Sequence, residues 1–148
     1  MSLLADVGVW LAAVWGRHVH HPVAASWFEQ QPGGVILCRV TQMSLLRLLS
    51  NPAVMGADAT SRRDAWAVVD RLRADDRVSW ADEPLQLEHV WRAISARDDG
   101  SHKLWTDDYL AAFAQAADLS LVTLDRQLAR RYPSVRVETL GPSLTAAN

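Results

Sequence analysis

Five short, mostly apolar runs constrain the fold of this chain more than any other feature. They occupy residues 3–5, 35–38, 78–80, 119–124 and 135–139, and helical patterns lie between them. A strand buried on both faces reads as a brief apolar run, and helices inserted between such strands cross over to make them parallel. The expected fold class is therefore α/β, a three-layer α/β/α sandwich around a short, mostly parallel central sheet. Helical spacing covers 7–15, 23–31 and 61–74. Thr41 is placed to cap a helix reaching Leu49, and Asn51-Pro52 ends it. A further helix covers 84–96, Thr106 is placed to cap one over 107–117, and a short one covers 126–131. Residues 16–22 read as a loop, and the Pro32-Gly33-Gly34 run stops the second helix.

At 148 residues the chain reads as one domain, expected over 1–140, with a mobile tail over 141–148. A net charge of −2 excludes a molecule that grips nucleic acid by bulk positive charge. The single Cys38 excludes an internal disulfide and a cysteine zinc cluster, which fits a reducing cytoplasm. No apolar run approaches the roughly 18 residues needed to span a membrane. The apolar N-terminus carries Asp6 and lacks a basic leader, so it reads as a first strand and helix.

The chemistry sits in acidic residues at the junctions of these elements. Asp6 closes the first apolar run, Asp125 closes the fourth, and Asp107 opens an apolar helix with Asp108 beside it. Each has a plain structural reading as a helix cap or a first-turn charge favoured by the helix dipole. Three at equivalent strand-to-helix crossings also suit a cation site, because carboxylates near a core must be paired or bound to a cation. In open α/β sheets, ligands bind beyond the carboxyl ends of the strands, where Asp6 and Asp125 fall. Carboxylate oxygens select hard ions such as Mg²⁺ and Mn²⁺. Such ions bind phosphate, lower the pKa of water and stabilise a leaving oxygen, which is the chemistry of phosphodiester hydrolysis.

Four segments in order carry a resemblance: Leu3-Leu4-Ala5-Asp6, Arg39-Val40-Thr41-Gln42, Trp105-Thr106-Asp107-Asp108 and Leu121-Val122-Thr123-Leu124-Asp125-Arg126. Together with the residues that follow each, they resemble the PIN-domain ribonucleases, and within them the VapC toxins of bacterial toxin–antitoxin systems. The resemblance covers nearly the whole chain. It implies an endoribonuclease dependent on Mg²⁺ or Mn²⁺, a VapB-like antitoxin as partner, and a homodimer or toxin–antitoxin hetero-oligomer. Asp6, Asp107 and Asp125 match the family's acidic positions and are the implied metal ligands, with Asp108 an adjacent candidate. Gln42 stands where the family often has Glu, and Gly8 where it often has Asn. Gln42 joins the candidate catalytic set as a weak ligand or water-positioning group.

Two other readings stand beside this one. The first is a PIN-like protein that holds RNA or a partner but cleaves poorly, because Gln42 is neutral. The second is a metal-dependent phosphohydrolase acting on a small substrate. Elsewhere, His18, His20 and His21 cluster in one loop without a fourth zinc ligand at a suitable spacing. Arg39, Arg47, Arg126, Arg130, Arg131, His102 and Lys103 flank the acidic motifs and read either as phosphate contacts or as solvated charges. Trp10, Trp66 and Trp91 fall on helical apolar stripes and are expected to pack. Trp105 is the best candidate for base stacking. The apolar faces at 45–49 and at Trp27-Phe28 are candidates to receive an amphipathic peptide.

Overall fold

The computed structural model describes residues 2–141. The expected tail falls outside the described residues apart from Gly141. The chain runs β1 (Leu3–Ala5), α1 (Val7–Val14), α2 (His21–Glu29), β2 (Val35–Leu37) and α3 (Arg39–Leu49). It continues through α4 (Pro52–Met55), a 3-10 turn at Gly56–Asp58, α5 (Arg62–Ala74) and β3 (Val78–Trp80). It closes with α6 (Leu87–Ser95), α7 (Trp105–Ala116), β4 (Ser120–Thr123), α8 (Leu128–Arg131) and β5 (Val137–Thr139).

The five strands form one sheet in the order β3-β2-β1-β4-β5, and every pairing is parallel. The chain winds outward from β1 through β2 to β3, then returns to the other side of β1 with β4 and β5. The order reverses between β1 and β4, so the crevice beyond their carboxyl ends is the place where such a sheet binds ligands. Leu4 pairs with Leu121 and Ala5 with Val122. One step further, the Asp6 N–H donates to the Val122 carbonyl at 3.0 Å. That register sets Asp6 beside Thr123.

Alternation along the strands divides the core into two layers. Ala5, Val35, Leu37 and Val122 face a cluster with Val9, Trp10, Leu45 and Val69, from α1, α3 and α5. Leu4, Ile36 and Leu121 face a second cluster with Leu110, Phe113 and Leu128, from α7 and α8. The expected α/β/α sandwich is therefore present, with a wholly parallel sheet. No helix among the described residues is long and apolar enough to cross a membrane.

Several element ends differ from expectation. Helix α3 starts at Arg39 behind Cys38, so Thr41 lies inside the first turn and its hydroxyl meets the Cys38 thiol at 2.9 Å. Helix α7 starts at Trp105 behind Leu104 with no side-chain cap, which leaves Thr106 within the helix and both Asp107 and Asp108 in its first turn. Helix α2 starts at His21 because Pro22 suits a first helical turn. Pro84 instead forms a turn, its carbonyl accepting from the Leu87 N–H at 3.0 Å, and α6 begins only there. Asn51-Pro52 does end α3, and Asn51 then caps the one-turn α4 through the Ala53 N–H.

Trp10 is 1% exposed and packs edge-on against Phe28. Trp66 departs from the packing expected of it and is 48% exposed, because its stripe on α5 lies beyond the Ala65, Val69 and Leu72 face that meets the core. Leu45, Leu49 and Trp27 are buried, so the core has taken up much of the two faces considered for a peptide.

Candidate active site

Asp6, a candidate site residue, serves as the cap of α1. Its Oδ1 accepts from the Val9 N–H at 3.0 Å, closing the first turn of α1. Its Oδ2 accepts from the Thr123 hydroxyl at 2.5 Å. The same hydroxyl oxygen accepts from the Asp125 N–H at 3.0 Å. Thr123 thus ties the end of β1 to the turn after β4. Burial pushes the Asp6 carboxyl up to about 6; the Thr123 and Val9 bonds pull against this, and the charges of Asp107 and Asp125 add to it. Gly8 leaves space beside Asp6, since a Cβ there would stand 3.5 Å from Oδ1, an ordinary contact.

Asp107 comes to the site from the first turn of α7, where the dipole favours a negative charge. Its carboxyl is raised by burial, lowered by Arg131 and raised by Asp125 and Asp108. It lines a cavity of about 570 Å³ together with Val7, Ser44, Arg47, Asn51 and Thr106. Asp125 is the most open of the three, with 44% of its side chain exposed. Its Oδ1 accepts from the Gln127 N–H at 2.9 Å in the turn before α8; the cap position expected of Asp125 falls to Gln127, whose side chain makes no capping bond.

Two residues of the site escaped the sequence argument in these roles. Arg131, at the end of α8, donates from Nη2 to Asp125 Oδ2, and the same nitrogen stands 3.8 Å from Asp107 Oδ2. The Tyr132 hydroxyl donates to Asp108 Oδ1 inside the second core layer. Burial and the Asp108 carboxylate hold the Tyr132 phenol well above its ordinary value, so it remains a donor. Asp108 is buried and committed to that bond, whereas Asp107 faces the crevice. The signal in the sequence was faint: an Arg-Tyr pair six residues beyond an Asp carries no period that points to a contact.

Gln42 lies near the start of α3. It is 3% exposed, and its Oε1 accepts from Arg39 Nη1 at 2.5 Å. The Arg39 guanidinium lies over the Trp80 ring, 4.7 Å from its centre, with Arg73 on the same indole at 4.3 Å. Gln42 lines a cavity of about 390 Å³ with Met43, Leu46, Arg62 and Trp66. Arg47 and Ser50 line both this cavity and that of Asp107.

The histidine loop is used structurally. The His21 ring meets the Ala12 carbonyl at 2.7 Å, and His18 Nδ1 accepts from the His20 N–H at 3.0 Å. Trp105 keeps 55% of its surface exposed and packs edge-on against Trp91.

Asp6, Asp107 and Asp125 therefore share one electrostatic field at the sheet's switch point. Among the described residues no three acidic, His or Cys side chains form a ready-made metal cage. The donor chemistry nevertheless fits a small hard cation. The candidate donors are all carboxylate oxygens, and the Arg131 guanidinium pairs with two of them as a positive charge would.

This combination defines a class, a parallel α/β protein with three aspartates at the seam where the strand order reverses. Residues 3–132 match the PIN domain family. Ribonuclease VapC41 of Mycobacterium tuberculosis is 43% identical over 129 residues, which span 83% of this chain and 88% of the relative. Ribonuclease VapC29 of the same organism is 34% identical over 137 residues, spanning 93% and 96%. The chain belongs to the PIN-domain family, and within it to the VapC group. Two solved structures share the fold. The DNA-bound VapBC of Salmonella typhimurium is 18% identical, with a TM-score of 0.69 over 94% of this chain and 98% of that one. VapC20 of M. tuberculosis, a Sarcin-Ricin loop cleaving toxin, is 17% identical, with a TM-score of 0.68 over 87% and 94%.

Proposed function

We propose that this chain is a metal-dependent endoribonuclease, the toxin of a cytoplasmic VapBC-type pair. The observation that carries the reading is the tie made by Thr123, which holds Asp6 and Asp125 together at the switch point, with Asp107 in the same field. Asp6, Asp107 and Asp125 would hold Mg²⁺ or Mn²⁺. When bound, the ion would neutralise charge on the scissile phosphate and make water more acidic. Thr123 keeps Asp6 oriented, and the Val9 N–H fixes its other oxygen. Arg47, which lines the Asp107 cavity, offers a phosphate contact. The names of the relatives support an RNA substrate, and the VapBC complexes among its structural neighbours support a VapB-like partner.

The test is cleavage of cellular RNA by the purified chain with Mn²⁺, Mg²⁺ or EDTA, beside Asp6→Asn. We expect metal-dependent cleavage that the substitution abolishes; cleavage in EDTA, or by Asp6→Asn at the wild-type rate, would refute the reading. The partner is tested by co-expression with a VapB-like antitoxin, where a stoichiometric complex is expected, and a gene without a small open reading frame beside it would count against the pair.

One observation favours a second reading, a PIN-like RNA- or partner-binding protein with weak or no catalysis. Gln42 is neutral, and its amide oxygen is held by Arg39. A tenfold or larger gain in cleavage from Gln42→Glu would favour this second reading, and unchanged cleavage would favour the first.

A further inference from the structure

Arg131 is the one cation whose side chain is shared by two of the three site carboxylates among the described residues. Its Nη2 donates to Asp125 Oδ2 and lies within ion-pair range of Asp107 Oδ2. Its backbone is fixed, with the Arg131 N–H on the Gln127 carbonyl at 3.2 Å and the Tyr132 N–H on the Leu128 carbonyl at 3.1 Å. Tyr132 pins the end of α8 to α7 through Asp108. The guanidinium head is less constrained. Its Nε is buried and has no hydrogen-bond partner among the described residues, and the side chain is 30% exposed. A buried donor without a partner is costly, so this head is not in a fully satisfied resting place. Asp6 is served differently, by the neutral donors Val9 N–H and Thr123 hydroxyl.

We propose that Arg131 is a resident counter-cation of the acidic cluster, which a divalent metal ion must displace from Asp107 and Asp125 in order to bind. The inference rests on the reading of Asp6, Asp107 and Asp125 as the metal ligands. A carboxylate oxygen that accepts a charge-assisted bond from a guanidinium has less electron density to offer a cation, and two positive centres on one pair of carboxylates repel. Arg131 therefore lowers the chain's affinity for metal. Without metal it holds the negative cluster together.

The experiment is calorimetric titration of the full chain with Mn²⁺, for wild type, Arg131→Gln and Arg131→Lys, with Asp6→Asn as the control. Arg131→Gln is expected to bind Mn²⁺ about tenfold more tightly than wild type, and Arg131→Lys to fall between them. Thermal unfolding adds a second readout. In EDTA the Gln variant is expected to melt below wild type, and its rise on adding Mn²⁺ to exceed that of wild type. A purely structural role would lower both melting points and leave the affinity unchanged or weaker, which would overturn the proposal. Should the variants fail to fold, the wild-type chain decides: adding Mg²⁺ is expected to shift the Arg131 side-chain NMR signals, and signals that stay fixed while Mg²⁺ binds would refute displacement. Failure of both wild type and Arg131→Gln to bind Mn²⁺ or Mg²⁺ would overturn the metal reading itself. Equal binding by the two would overturn only the role of Arg131.

Discussion

The Thr123 hydroxyl donates to Asp6 Oδ2 at 2.5 Å across the β1–β4 seam while accepting the Asp125 N–H at 3.0 Å. One hydroxyl therefore serves a residue 117 positions away and another two positions away. Thr123→Val keeps the shape and removes both bonds. Losing a hydrogen bond to a charged group costs about 1.5–3 kcal/mol. We expect that loss in urea unfolding at pH 7.5 and a smaller one at pH 5, where more of Asp6 is protonated. An equal deficit at both values would show that Thr123 does not act through the Asp6 charge.

The raised carboxyl of Asp6 fixes the sign of a pH effect. Its ordinary value is 3.8 and burial brings it to about 6 in the folded chain. Between those values the folded state holds a proton that the unfolded state releases. The Asp6 contribution to stability is therefore fully present below about pH 4 and is lost as pH rises towards 6. Two pH units correspond to about 3 kcal/mol. In EDTA, wild type minus Asp6→Asn is expected to show this fall across pH 4–6. A flat difference would mean that Asp6 is not buried as a charge.

Adjacent aspartates are expected to separate cleanly. Asp107→Asn removes a crevice carboxylate and is expected to lower RNA cleavage by at least about 100-fold, since even residues outside the direct ligand set typically cost 10–100-fold. Asp108→Asn weakens the Tyr132 bond in the second core layer. Its expected cost is about 1–3 kcal/mol of stability with cleavage nearly intact. Paired cleavage assays and urea melts on the two variants check this, and a reversed pattern would exchange their roles.

The tryptophans provide a control on packing. Trp66→Ser, at a 48% exposed position, is expected to change stability by less than about 0.5 kcal/mol. Trp10→Ala, at a 1% exposed position, is expected to cost about 3–5 kcal/mol. Comparable losses in chemical unfolding would place Trp66 in a packed interface.

The amino-acid order alone specified the strand and helix alternation, the three-layer class, and Asp6, Asp107 and Asp125 as the acidic residues of interest. Those features are local. An apolar run between two helical periods fits a doubly covered parallel strand, and an Asp at its end stands at a helix start whatever the rest of the chain does. Tertiary structure decided what local periodicity does not encode. The β1–β4 register set Thr123 beside Asp6. The turn into α8 brought Arg131 to Asp125 and Asp107, and Tyr132 to Asp108, which separated two neighbours that read alike in sequence. Packing of α3 against β3 set Arg39, the partner of Gln42 one helical turn on, over the Trp80 ring. The Thr123–Asp6, Arg131–Asp107, Tyr132–Asp108 and Arg39–Trp80 partnerships join side chains from elements that meet only when the sheet closes. Spacing along the chain could nominate the carboxylates, but only their packing determined which charge each one faces.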